Sequence, residues 1–132
     1  MPNRVGQIGD LLLVAEAQLG TPAGDLLRMT SLDSDPGLID LFASFDGADP
    51  SPSPVEEAAM WAAWVVRHCP FPKDNRPIGY RFMCSMLDEA EEPWLTSRED
   101  AYVVTALFKA LEAGTISEAE FVDWVCLRVA TA

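Results

Sequence analysis

The sequence predicts an all-α protein: a bundle of about six helices around one buried central helix. Three observations predict it. Apolar residues recur at three- and four-residue spacing along most of the 132 positions. No segment shows the two-residue alternation of a strand. One stretch, 55–68, is apolar nearly all round, and a helix with no polar face has to be surrounded by protein.

The elements follow in order. Val5, Ile8, Leu12, Ala15 and Leu19 mark one face of a first helix, which stops at Gly20 and Pro22. Residues 26–29 add a turn or two. Asp35 before Pro36 reads as an N-cap with proline in the first turn, where its missing N–H costs nothing. Leu38, Leu41, Phe42 and Phe45 carry that helix onward. Prolines make 47–54 a loop. Ser53, Pro54 and Glu56 then form a capping box that opens the central helix. Its body is Ala58, Ala59, Met60, Trp61, Ala62, Ala63, Trp64, Val65 and Val66. The tryptophans and methionines read as core packing.

A second central helix starts close to Pro77, carries Ile78, Phe82, Met83, Met86, Leu87 and Ala90, and fades into the acidic run 88–92. That run reads as a solvated helix end. Thr96 and Glu99 cap the next helix, with Val104, Leu107, Phe108 and Leu111 inward and Gly114 as its stop. Ser117 and Glu120 cap the last, with Phe121, Val122, Val125, Cys126 and Val129 inward. Length and the lack of an internal repeat point to one domain.

Composition narrows the function classes. The formal net charge of -12 counts against nucleic acid and anionic membrane as partners. The longest apolar run, 58–66, is too short to span a bilayer. The opening MPNRVGQIGD reaches an acid before any long apolar region, so no secretory signal is expected and a cytoplasmic location is. Cys69, Cys84 and Cys126 have neither close pairing nor metal-ligand spacing, which reads as reduced thiols and no metal site. No Walker loop, dinucleotide fingerprint or serine elbow is present, so no cofactor is expected.

Against that acidic background, residues 67–81 (RHCPFPKDNRPIGYR) hold Arg67, Lys73, Arg76, Arg81 and the chain's single histidine, His68, with Asp74 as the only acid. A local cation cluster on an anionic body points to a small anionic ligand. Lys73, Asp74, Asn75 and Arg76 are the candidate anion-binding residues, beside the start of the next helix, whose N–H groups and dipole favour phosphate or carboxylate. Cys69 is the candidate nucleophile, because neighbouring cations favour thiolate, with His68 beside it. The competing readings are a solvated connector and an inert thiol.

The arrangement helix, CPFPKDNRP, helix resembles the Fic/Doc (death-on-curing) family, whose loop runs His-Pro-Phe-x-Asp/Glu-Gly/Ala-Asn-Lys/Gly-Arg. The resemblance extends from Asp35-Pro36-Gly37 to the closing GTISEAEFVDWVCLRVA. It implies the family's helical fold and transfer of AMP or another phosphate-containing group onto a protein hydroxyl. Short Doc-type toxins phosphorylate a translation factor and are held inactive by an antitoxin partner. Pro70, Phe71 and Asn75 match, which carries Asn75 over as an anion-hole residue and Phe71 as the loop's apolar anchor.

The departures touch the chemistry. The family's general base is Cys69 here, its metal-binding acid Lys73, its small residue Asp74 and its phosphate-gripping arginine Pro77; Arg76 falls on the Lys/Gly position. A carboxylate holds Mg²⁺ and a lysine repels it, so metal-assisted transfer is compromised. A gapped register would use His68 as base, Asp74 on the metal and Arg76 on phosphate, at the cost of the match at Asn75. Three readings stay open. The first is a diverged enzyme centred on Cys69, acting on an anionic or carbonyl-bearing substrate. The second is a catalytically silent relative that binds a protein or nucleotide. The third is a Doc-type toxin in the gapped register, with an antitoxin-like partner. Losing base, acid and arginine together weighs against the third; a cysteine at the base position favours the first over the second.

Overall fold

The computed structural model describes residues 4–92 and 98–131, and over them the chain is helical with no strand. Seven α-helices form among these residues: α1 (Arg4–Leu19), α2 (Ala23–Thr30), α3 (Pro36–Asp46), α4 (Pro54–His68), α5 (Asn75–Glu89), α6 (Arg98–Ala113) and α7 (Glu118–Ala130). A 3-10 turn, Leu32–Ser34, leads into α3. The seventh is α2, where the sequence suggested only a turn or two. It forms because Leu26 inserts completely into the core, and Ser31, in the left-handed region at φ 50°, stops it.

The central helix is α4. Ala58, Ala59 and every residue from Trp61 to Val66 are buried, as the all-round apolar pattern requires. Its two sides meet different neighbours. Trp61, Trp64 and Val65 join the side chains of α1, α2 and α3, with Phe71, Ile78 and Phe82. Ala58, Ala59, Ala62, Ala63 and Val66 form the other side with Met83 and Leu87 of α5 and the stripes of α6 and α7. The bulky side is locked edge-on: Trp61 meets Phe82 at 5.2 Å and Phe42 at 5.5 Å between ring centroids, the edge-to-face arrangement the aromatic quadrupole favours. The alanine side lets backbones approach. A Cβ added at Gly79 of α5 would stand 3.3 Å from the Ala62 carbonyl oxygen, so the missing side chain sets the α4–α5 spacing.

Helix starts behave as their residues dictate. Asp35 accepts the Leu38 N–H at 3.2 Å. Both capping boxes close reciprocally: Glu56 N–H to Ser53 Oγ at 3.2 Å with Ser53 N–H to Glu56 Oε1 at 3.1 Å, and likewise for Ser117 and Glu120 at 3.0 and 3.1 Å. Each such cap contributes about 1 kcal/mol. Gly114 terminates α6 at φ 75°.

Several expected details differ. Val5 is 77% exposed, and Leu11 takes its place on the inward stripe of α1. Helix α5 starts at Asn75, close to Pro77 as expected, with the proline inside its first turn. Val122 and Cys126 flank the α7 stripe half-buried, and Phe121, Val125 and Val129 carry it. Thr96, expected to cap α6, lies outside the described residues. No helix among the described residues is long and apolar enough to cross a membrane.

An anchor that patterning could not reveal ties the first turn of α1 to the rest. Arg4 donates to Asp46 and to Glu57, each at 2.6 Å, and its guanidinium lies 4.7 Å from the Phe45 ring centroid. Gln7 Oε1 accepts from Arg4 at 2.9 Å and from the buried Trp61 indole at 3.3 Å. The helix that carries Cys69 is thereby fixed at its far end.

Candidate functional site

The loop between α4 and α5 is built on two residues in the left-handed region. Cys69 caps α4 at φ 47°, and Asp74 precedes α5 at φ 59°. Between them Phe71 turns inward and is buried among the side chains of the first core. Its backbone would be stranded there, but Asn75 satisfies it. Asn75 Oδ1 accepts the Phe71 N–H at 3.0 Å, and Asn75 Nδ2 donates to the Phe71 carbonyl at 3.0 Å.

Beside this turn lies a pocket of about 300 Å³ lined by Cys69, Asp74, Asn75, Arg76, Pro77 and Glu112. The structure therefore brings together four of the six residues singled out in the sequence: Cys69, Asp74, Asn75 and Arg76. Lys73 is exposed on the loop and does not line the pocket. His68 turns the other way. Its ring stacks on Trp64 at 4.6 Å and 17°, and its Nδ1 lies 3.1 Å from the Trp64 carbonyl oxygen. A carbonyl only accepts, so Nδ1 carries the proton of the neutral ring. Its Nε2 faces α3, 3.3 Å from where a Cβ on Gly37 would stand.

Glu112 is the pocket residue that sequence reasoning missed. It receives Arg76 Nε on Oε1 and Arg76 Nη2 on Oε2, both at 2.7 Å. This two-pronged bond holds the Glu112 carboxyl below its ordinary range, and desolvation opposes it in part. The same bond raises the already basic Arg76 guanidinium. The partners are 36 residues apart, so no local spacing pointed to the pair. A second contact runs parallel: Arg67 of α4 approaches Glu118 of α7 at 3.8 Å.

Chemically the pocket differs from a free cation cluster. Its one guanidinium already holds a carboxylate, and Asp74 adds another acid at the rim. Asn75 is engaged by the Phe71 backbone. Pro77 has no N–H, so the first turn of α5 presents only the amides of Asn75 and Arg76. The Cys69 thiol is exposed and donates to the Val66 carbonyl at 3.2 Å, a bond the protonated thiol makes. Cys84 and Cys126 are partly covered, and burial, aided by nearby Glu56 and Asp123, pushes the Cys126 thiol up. No group of three or more His, Cys, Asp or Glu side chains among the described residues is placed to hold a metal ion.

A second cleft adjoins the first and shares Arg76 and Pro77 with it. It measures about 370 Å³ and is completed by Tyr80 of α5 and Ala101, Thr105 and Phe108 of α6. The Tyr80 phenol is pushed up to about 12, by burial first and then by Cys84, with Asp100 contributing. Asp100 is itself buried and bonded to Arg128 at 2.9 and 3.0 Å, which ties the start of α6 to the end of α7.

Compared with family models, with curated proteins and with solved structures, the chain matches none.

Proposed function

We propose that this chain is a catalytically silent protein with a Fic/Doc-like loop, and that it acts by binding a protein partner rather than by transferring a phosphate-containing group. One observation carries the reading: the groups that would have to grip a nucleotide are engaged within the chain. Arg76 is held by Glu112 at two points, and both ends of the Asn75 amide are held by Phe71. A phosphate would meet a guanidinium already neutralised by a charge-assisted, two-pronged bond to Glu112, with Asp74 and Glu112 beside it on a body of net charge -12. A protein surface can satisfy such a rim with neutral and cationic groups of its own.

The test uses the intact chain with Mg²⁺ and labelled ATP in a cell lysate, alongside calorimetric titration with ATP. Neither labelled protein nor nucleotide binding below the millimolar range is expected. Labelling that disappears in His68→Ala or Asp74→Ala would establish the Doc-type toxin in the gapped register, with an antitoxin-like partner to be sought. One observation favours a second reading, altered chemistry centred on Cys69: the thiol is exposed and lines the pocket. Turnover lost only in Cys69→Ser would establish that reading instead.

A further inference from the structure

The outward side of α1 is apolar where a surface helix is ordinarily charged. Val5, Gly9, Leu13 and Ala17 recur every four residues and so form one line along the helix. Val5 is 77% exposed and Leu13 57%, and Gly9 and Ala17 are exposed as well. The core does not require this line, because Ile8, Leu11, Leu12 and Ala15 supply the buried face of α1. A Cβ placed on Gly9 would meet nothing within 4 Å. The glycine therefore relieves no contact inside the chain, although in a helix interior it costs about 1 kcal/mol relative to alanine.

Charge selects what can lie on the line. The charged residues of α1 are Arg4, Asp10 and Glu16. Arg4 is held by Asp46 and Glu57, and Glu16 accepts the Ala23 N–H at 3.0 Å. Asp10 stands at the edge, bordering a hollow that it shares with Gln7 and Glu89. A cationic protein would be drawn to acid-rich surface such as the run 88–92 rather than here. Two copies of a chain of net charge -12 repel each other, and they can approach closely only where charge is sparse. The line is also self-complementary. Val5 and Leu13 stand four residues either side of Gly9, so a two-fold axis at Gly9 sets Val5 of each copy against Leu13 of the other when the helices run antiparallel. That is the isologous contact of a C2 dimer, and a glycine at the crossing lets the backbones close.

We propose that the outward face of α1 is a self-association surface, on which a second copy of this chain docks along Val5, Gly9 and Leu13. A single helix pair is smaller than a standard interface of roughly 800 Å² per partner, so the dimer is weak and concentration-dependent. Asp10, next to Gly9, comes near its own counterpart across the axis. Like charges thus limit the dimer, and salt or neutralisation of Asp10 strengthens it. The α4–α5 loop takes no part, so this inference stands or falls separately from the binding role proposed above.

Sedimentation equilibrium of the intact chain, from micromolar to millimolar concentration and at low and raised salt, tests it. The average mass is expected to climb from one chain toward two, and further at raised salt. Gly9→Gln meets nothing inside the chain, so its thermal midpoint should hold or rise while association weakens about tenfold or more. Leu13→Asp, at an exposed position, should weaken association to a similar degree, and Asp10→Asn should tighten it severalfold. A chain that stays monomeric to millimolar concentration would overturn the proposal and leave the face to a different protein. A dimer unchanged in both Gly9→Gln and Leu13→Asp, or one dissolved by salt, would place the contact elsewhere and overturn it as well.

Discussion

Asn75 holds Phe71 from both sides: its amide oxygen accepts the Phe71 N–H and its amide nitrogen donates to the Phe71 carbonyl, each at 3.0 Å. The pair explains why an aromatic residue can be buried in a tight loop without stranding backbone polar groups. It also assigns Asn75 a structural task at the position where an anion contact was expected.

Asn75→Ala should therefore destabilise the fold by about 1–3 kcal/mol, the cost of leaving buried backbone groups unpaired. Asn75→Asp keeps the acceptor and loses the donor, so it should fall between. Urea unfolding measures both. A change below about 0.5 kcal/mol in Asn75→Ala, within the range of ordinary surface substitutions, would mean that water replaces the side chain and the clamp contributes little.

The division between what was legible in the sequence and what was not follows the range of the interactions. The core of α4, the boxes at Ser53 and Ser117 and the stop at Gly114 depend on neighbours within a turn or two, and each appears where its residues require. The cation cluster at 67–81 was visible as composition, but its electrostatics were not. Glu112 and Glu118 reach Arg76 and Arg67 from helices distant in sequence. Val5 followed the apolar period and is nevertheless exposed, because periodicity identifies a face without saying which of its positions a neighbour covers. The direction of His68 depends on the Trp64 ring one turn earlier and on the space left by Gly37, which no motif encodes.

The ion pairs make stability fall in acid. Asp46 is held below its ordinary range first by the hydrogen bond from Arg4, and Glu112 by that from Arg76. A carboxyl whose folded value lies below its unfolded one favours the folded state above the unfolded value, roughly pH 4. That contribution is lost as pH falls through the depressed folded value. Arg4→Gln and Arg76→Gln should thus lower the urea midpoint by a constant amount at neutral pH, and the gap to the parent should close below about pH 4. Comparing each variant with the parent cancels the general relief of negative charge. A gap unchanged down to pH 3 would show that these pairs are not the cause.

Gly79 should tolerate nothing large. Its Cβ position is 3.3 Å from the Ala62 carbonyl oxygen and 3.4 Å from Val66 Cγ2, so alanine already requires α4 and α5 to yield by a few tenths of an ångström. For alanine that strain is offset by a helix-propensity gain of about 1 kcal/mol, and a net change near zero is expected. Gly79→Leu gains a similar propensity, but its larger side chain has no room between the helices, and overpacking of about 1–3 kcal/mol or more should leave it destabilised. Calorimetric midpoints decide it; a leucine variant as stable as the parent would mean that the two helices are not in contact at this point.

Cys69 offers a test in which stability and reactivity separate. It occupies the left-handed cap of α4 at φ 47°, a position where glycine carries no Cβ penalty and other residues do. Cys69→Gly should therefore stabilise the protein, by up to about 1 kcal/mol, less what the Sγ bond to the Val66 carbonyl contributes. The parent should show one fast thiol toward a neutral maleimide, because Cys69 is exposed while Cys84 and Cys126 are partly covered. Cys69→Gly and Cys69→Ser should both remove the fast phase, and only the glycine variant should raise the thermal midpoint. Were Cys69 to react only on unfolding, the pocket would be closed in solution. A glycine variant less stable than the serine one would mean that the cap does not hold the left-handed geometry. Stabilisation by glycine together with loss of a measurable activity would show that the thiol is kept at this strained position for its chemistry, and the Cys69-centred reading would then displace the silent one.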